Sequence, residues 1–235
     1  MKKENLLGEA VDLAKSRYLE GDVMHLTKSR LEALTDGIFA FSMTLLVIGI
    51  SIPAKADLVQ STPFVANLLL SLYSDFFHYV LAFLILGAFW LSHHIELHPV
   101  SRLNRTYVWL NMGTLMFVAL LPFSTQFSGA FPNVPLGQIV FELNLFALGM
   151  GMFLQWKYAT GKDRLVEPGM TPGFVRQVGA RALVVPLVSL LAVLIALTGK
   201  TWSTAVYLLL PPIEYVVVRW ARRSAEPSAS MRPRA

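Results

Sequence analysis

From Gly37 to Ala54 the chain carries no charged residue, and a charged turn with Arg30, Glu32 and Asp36 precedes it. That run is close to the ~20 residues a helix needs to cross a bilayer core. A first helix is predicted over about Leu31 to Ile52, ended by Pro53. Along it Leu34, Ile38, Phe41, Leu45 and Ile48 recur at helical spacing and share one stripe, with the hydroxyls of Thr44 and Ser42 near it. Asp36 lies roughly 140° from Phe41 at ~100° per residue, so its carboxylate is expected to point away from the stripe, towards neighbouring protein.

The pattern continues downstream. Phe64 to Tyr73 is apolar but short and reads as an interfacial helix or the lead-in to the next span. A second long helix is predicted from about Asp75 to His94, and a third from about Tyr107 to Phe127. Pro122 lacks an N–H and is expected to kink or end the third helix. A fourth helix follows over about Leu136 to Tyr158, then a basic segment, 157–181, with Lys157, Lys162, Arg164, Arg176 and Arg181. A fifth helix is expected over about Ala182 to Thr198 and, after a GKTW turn, a sixth over about Ser203 to Val218, interrupted by Pro211 and Pro212. Residues 1–29 form a hydrophilic arm, cytosolic or interfacial; 30–220 form the six-helix domain; 221–235 form a basic tail whose Pro, Ser and Ala content points to disorder.

Composition fixes the class. Apolar residues make up 54% of the 235 and charged residues only 15%, with mean hydropathy +0.54. A soluble domain sits nearer a quarter charged. The chain therefore reads as an all-α integral membrane protein. The first residues are charged and polar, without the apolar core of a cleavable signal. With no cysteine, disulfides and thiolate chemistry are excluded. The formal charge of +5 does not point to nucleic acid, because basic residues of membrane proteins concentrate in cytoplasmic loops. With six helices and both termini cytoplasmic, only Lys55 and Lys200 fall on the outer side, as that rule requires.

Several polar residues invite chemistry. His93, His94 and His98 lie near Glu96, and His94 and His98 are four apart, a spacing zinc ligands use. No HExxH base sits between them and no third ligand is evident, so hydrogen-bonded structural histidines are favoured and no metal or cofactor is expected. Asp75, Glu142 and Glu214 lie in or beside apolar spans, where a carboxylate is a transport candidate or is paired with a neighbouring helix. Gly149 and Gly151, mid-helix, suit close helix packing. A catalytic triad and a nucleotide-binding loop are both missing, so no enzyme is expected.

Three segments carry a resemblance. Arg30-Leu-Glu-Ala-Leu-Thr35-Asp36-Gly37 followed by IFAFSMTLLVI, then Phe89-Trp90-Leu-Ser-His93-His94, then Asn111 with Leu121-Pro122-Phe123-Ser124-Thr125 occur in order between residues 30 and 126. Together they resemble the transmembrane protein 175 family, endolysosomal potassium channels and their prokaryotic relatives, whose first helix is marked by Arg-x-x-x-Phe-Ser-Asp. Leu34 stands here for the Phe and Thr35 for the Ser. The resemblance implies six-helix units, homotetrameric in prokaryotes, with the first helix lining a pore between subunits. Carried over by distance from Asp36, it puts the constriction at Phe41, then Leu45 and Ile48, and a potassium-linked hydroxyl at Thr44. Phe41 departs from the family's Ile or Leu. The resemblance also ties Arg30, Thr35 and Asp36 of helix one to Trp90, His94 and Asn111 of helices two and three.

A pore between subunits also follows from size, since six helices in a chain this short fill their own interior. A ring of aliphatic side chains can gate such a pore by dewetting. The expected protein is a homotetrameric, potassium-permeable cation channel of a prokaryotic inner membrane, permeated passively. Its competitors are a proton-linked secondary transporter using Glu142 or Glu214, a non-conducting scaffold whose first helix only packs, and a membrane enzyme built on the histidines.

Overall fold

The structure is a computed structural model that describes residues 27–50, 61–161 and 165–223. It is helical throughout these residues apart from one isolated β-bridge between Val100 and Val166. The helices are α1 (Lys28–Ile48), α2 (Thr62–Ser71), α3 (Tyr73–Leu97), α4 (Arg105–Ala130), α5 (Pro135–Thr160), α6 (Pro172–Ala182), α7 (Val184–Leu197) and α8 (Leu210–Arg223), with a 3-10 segment over Ser203–Leu209. Among the described residues five helical stretches are long and apolar enough to cross a membrane: α1, α3, α4, α5 and the α6–α7 run Pro172–Leu197.

The helix ends follow local chemistry. Thr27 caps α1 by accepting the Arg30 N–H, and Asn104 caps α4 through the Tyr107 N–H. The stop expected at Pro53 lies outside the described residues, as do nearly all of the arm 1–29 and the end of the tail. Pro122 does not end α4, which runs on to Ala130. The Ser124 and Thr125 hydroxyls both donate to the Leu121 carbonyl just past the proline. Gly199, with φ +83°, closes the turn after α7 in the left-handed conformation that glycine adopts without strain.

Two expected boundaries change. The span predicted to begin at Ala182 is preceded by α6, which starts ten residues earlier in a stretch read as a basic loop. Thr171 accepts the Phe174 N–H as N-cap and Pro172 opens the first turn, where its missing N–H costs nothing. The predicted sixth helix is a 3-10 run that becomes α-helical only at Leu210 and extends past Val218 to Arg223. Pro211 and Pro212 have no N–H to give the carbonyls one turn earlier, so they suit the start of an α-helix and not its middle.

The core is organised around α5, whose Phe141, Leu145, Leu148 and Met152 are buried between α4 on one side and α7 on the other. Gly149 and Gly151 permit that approach: a Cβ on Gly149 would lie 2.7 Å from the Pro186 ring, and one on Gly151 2.5 Å from the Thr114 hydroxyl. A second cluster gathers Leu31, Leu97, Tyr107, Ala159 and Val166 at the end where α1 and α4 begin and α3 and α5 finish. Lys28 Nζ donates to the His98 carbonyl there at 2.7 Å. α2 buries none of its residues against the chain.

Candidate functional site

α1 has one face fastened and one bare. Leu31, Thr35, Phe39, Ser42 and Leu46, spaced by three or four residues, are buried against α3 and α4. On the other side Leu34, Phe41 and Ile48 are 41%, 64% and 71% exposed. Thr44 is exposed beside them and Leu45 half-buried. Ile38 turns partly back onto the core. Ser42 is not near the bare stripe as expected; it sits three residues from Phe39 and four from Leu46, on the packed face. Thr44 Oγ1 donates to its own helix, to the Phe41 carbonyl at 2.7 Å, and its oxygen can still accept outward.

Hydrogen bonds fix the packed face near the start of the helix. Trp90 Nε1 on α3 donates to Asp36 Oδ1 at 2.8 Å. Asn111 Nδ2 on α4 donates to Thr35 Oγ1 at 3.2 Å, and Asn111 Oδ1 accepts from His93 Nε2 at 2.8 Å, which requires the proton on that ring nitrogen. One asparagine thus bridges α1 and α3.

Two residues expected in this arrangement are elsewhere. His94 is exposed and only stacks on Trp90, ring centres 6.4 Å apart, while His93 takes the bond to Asn111. Neighbouring residues on a helix point ~100° apart, and it is His93 that shares the buried face of Leu86 and Phe89. Arg30 makes no ion pair among the described residues; only its backbone N–H is used, at the Thr27 cap. Six residues separate it from Asp36, about 120° round the helix from it by the same rotation, so the two point apart. The histidines do not converge on a metal site: among the described residues no group of three or more potential ligands comes together.

A second polar cluster gave no sequence signal. Gln138 Oε1 on α5 accepts from Ser128 on α4 and from Thr204 on the 3-10 segment, each at 2.6 Å, and lies 3.4 Å from Nε2 of His78 on α3, whose Nδ1 faces the Ser74 carbonyl at 2.7 Å. One turn along α5, Glu142 is fully buried, and among the described residues neither carboxylate oxygen has a hydrogen-bond partner. The Ser203 hydroxyl lies beside it. Asp75 abuts the Gly129 backbone, and Glu214 pairs with Arg181 at 3.2 Å.

The comparisons with known proteins fall on the fastened helices. Residues 30–122, from the start of α1 to the proline of α4, match the family model described as endosomal/lysosomal potassium channel TMEM175. Over this stretch, less than half of the chain, the sequence is similar to TMEM175 channels. A protein named potassium channel from Streptomyces collinus is 29% identical over 59% of this chain and 68% of its own length. Rat TMEM175, named an endosomal/lysosomal proton channel, is 27% identical over 85% of this chain but only 43% of its own. The chain thus spans less than half of that mammalian relative. The crystal structure of a TMEM175 homologue from Chamaesiphon minutus, titled a lysosomal potassium-selective channel homologue, superposes with TM-score 0.66 at 23% identity, covering 85% of this chain and 98% of that one. At that identity the likeness is one of fold. These relatives are named as channels, not enzymes.

Proposed function

We propose that four copies of this chain form a passive, potassium-permeable channel in a prokaryotic inner membrane, with α1 of each copy lining a central pore. In this reading the 3-10 segment and α8 complete a sixth crossing and both termini are cytoplasmic. Residues 30–220 are the channel domain, between the arm 1–29 and the tail 221–235. Phe41, Leu45 and Ile48 form the apolar constriction, and Thr44 offers a hydroxyl to the permeant ion. Thr35, Asp36, Trp90, His93 and Asn111 hold α1 at a fixed rotation, with His94 stacked behind Trp90 and Arg30 at the entrance.

The observation that supports this best is the division of α1 into a fastened face and a bare one. Phe41 and Ile48 are left open while the opposite face is buried, and in this reading the open stripe faces the pore axis instead of lipid. An apolar ring at a symmetry axis gates by dewetting, and larger side chains make a stronger barrier. Potassium flux into liposomes holding the purified protein is expected without an imposed proton gradient, and Phe41→Ala is expected to raise it severalfold. Wild-type flux left untouched by that substitution would remove Phe41 from the ion path.

A second reading has its own support. Glu142, buried and without a hydrogen-bond partner among the described residues, is the kind of intramembrane carboxylate that carries protons, and the mammalian relatives are named proton channels. It predicts acidification of the liposomes that is lost in Glu142→Gln and indifferent to Phe41→Ala.

A further inference from the structure

Away from α1 the structure has a cavity of about 240 Å³ between α3 and the layer of α6, α7 and α8. Its α3 wall is a single stripe, Leu81, Ile85, Ala88, Ser92 and Glu96, spaced by three or four residues. From Leu81 to Glu96 the stripe is about 22 Å long at 1.5 Å per residue. That exceeds the ~15 Å half-thickness of a bilayer's hydrocarbon core. Ala88 and Ser92, both small, leave room at its middle, and the exposed Leu84 and Leu208 mark its open side. The shape is a slot for one long apolar chain.

The chemistry of the slot is lopsided. Most of its length is lined by apolar side chains and Tyr207, while one end gathers Glu96, Arg181 and Glu214. Arg181 and Glu214 are paired at 3.2 Å, each only partly exposed. Glu96 is 5% exposed and among the described residues forms no salt bridge, Arg181 being paired with Glu214. Charging a buried carboxyl is costly unless a cation with N–H donors sits against it. Arg181 meanwhile keeps guanidinium donors beyond the Nε that faces Glu214, and these suit a phosphate.

We infer that this slot binds a phospholipid with an ethanolamine headgroup, one acyl chain along α3, its ammonium on Glu96 and its phosphate on Arg181. A phosphoglycerol headgroup would bring a second negative charge to the carboxylates and no ammonium, and is disfavoured. The site is distinct from the bare stripe of α1: none of the residues lining it lies on that helix.

The test is native mass spectrometry of the purified full-length protein, released from nanodiscs that contain equal amounts of phosphatidylethanolamine and phosphatidylglycerol with identical chains. Wild type is expected to retain phosphatidylethanolamine about tenfold over phosphatidylglycerol, the factor that one charge-assisted hydrogen bond confers. Glu96→Gln, nearly isosteric, should bring the ratio to about one. Ala88→Phe, at the open side, should fill the slot and lower retention of both lipids at least fivefold. Equal retention by wild type, no lipid retained, an undiminished preference in Glu96→Gln, or full retention in Ala88→Phe would each overturn the assignment.

Discussion

Two of the buried polar clusters in this bundle do different work. The one around Asn111 joins α1 to α3 and α4; the one around Gln138 joins α3, α4 and α5 to the 3-10 segment. Every helix held by Gln138 also has a broad apolar face in the core, so its bonds add specificity to elements already packed. α1 has a narrower one: Phe39 and Leu46 reach the core, its main neighbours among the described residues are α3 and α4, and Phe41, Val47 and Ile48 on its other side are bare. For such a helix the bonds from Trp90 and Asn111 decide which side faces away from the subunit. The same chemistry serves cohesion in one place and orientation in the other.

The comparison breaks most visibly at its two hubs. Gln138→Ala removes three bonds at once, from the Ser128 and Thr204 hydroxyls and to the Ser128 carbonyl. Interhelical hydrogen bonds in membrane proteins average ~0.6 kcal/mol each, so a loss of about 2 kcal/mol is expected. Thermal unfolding in detergent, followed by size-exclusion chromatography, should show it, while potassium flux per folded protein stays near wild type. Asn111→Ala strands only His93 and Thr35, for about 1 kcal/mol, yet should alter flux severalfold because α1 is free to rotate. If the Gln138 variant changes conduction and the Asn111 variant does not, cohesion and orientation have been assigned the wrong way round.

The histidine doublet sharpens the same comparison. His93→Ala removes one bond of the Asn111 bridge and should cost about 0.6 kcal/mol. His94→Ala removes an exposed ring that only stacks on Trp90 and should stay within ~0.5 kcal/mol of wild type. Paired melting curves in one detergent distinguish them; equal effects would mean that Asn111 is not the pivot of the cluster.

How far these features could be read beforehand depended on whether the signal was local. The stripe on α1 and the long apolar runs of α3, α4 and α5 are periodic patterns within a single helix, and the periods are legible. Their partners are less so: Trp90 and Asn111 emerged through resemblance, and His94 was chosen over its neighbour because run length says nothing of rotation. α6 was read as a loop because Arg176 and Arg181 dominate it, although Thr171 and Pro172 form a helix start. The 3-10 segment answers to prolines that lie after it. Gln138 had no pattern to betray it, since its three neighbours come from helices sixty and ten residues before it and a segment sixty-six residues after. Convergence across a fold leaves no mark on any one stretch.

The smallest effect tests the finest point, the bond from Trp90 to Asp36 at 2.8 Å. Trp90 is 40% exposed, so water or lipid headgroups can replace its partner, and Trp90→Phe should cost no more than ~0.6 kcal/mol. If the bond serves orientation, flux should nevertheless change, and Asp36→Asn should change it less, because an amide oxygen still accepts the indole N–H. A cohesive role gives the reverse pattern: a lower melting temperature with unaltered flux in both variants. Because the indole and the carboxylate meet on an exposed flank of α1, away from the bare stripe, losing their bond is expected to free rotation of the helix more than to loosen the buried core. Conduction is therefore expected to be the more sensitive of the two readouts at this position.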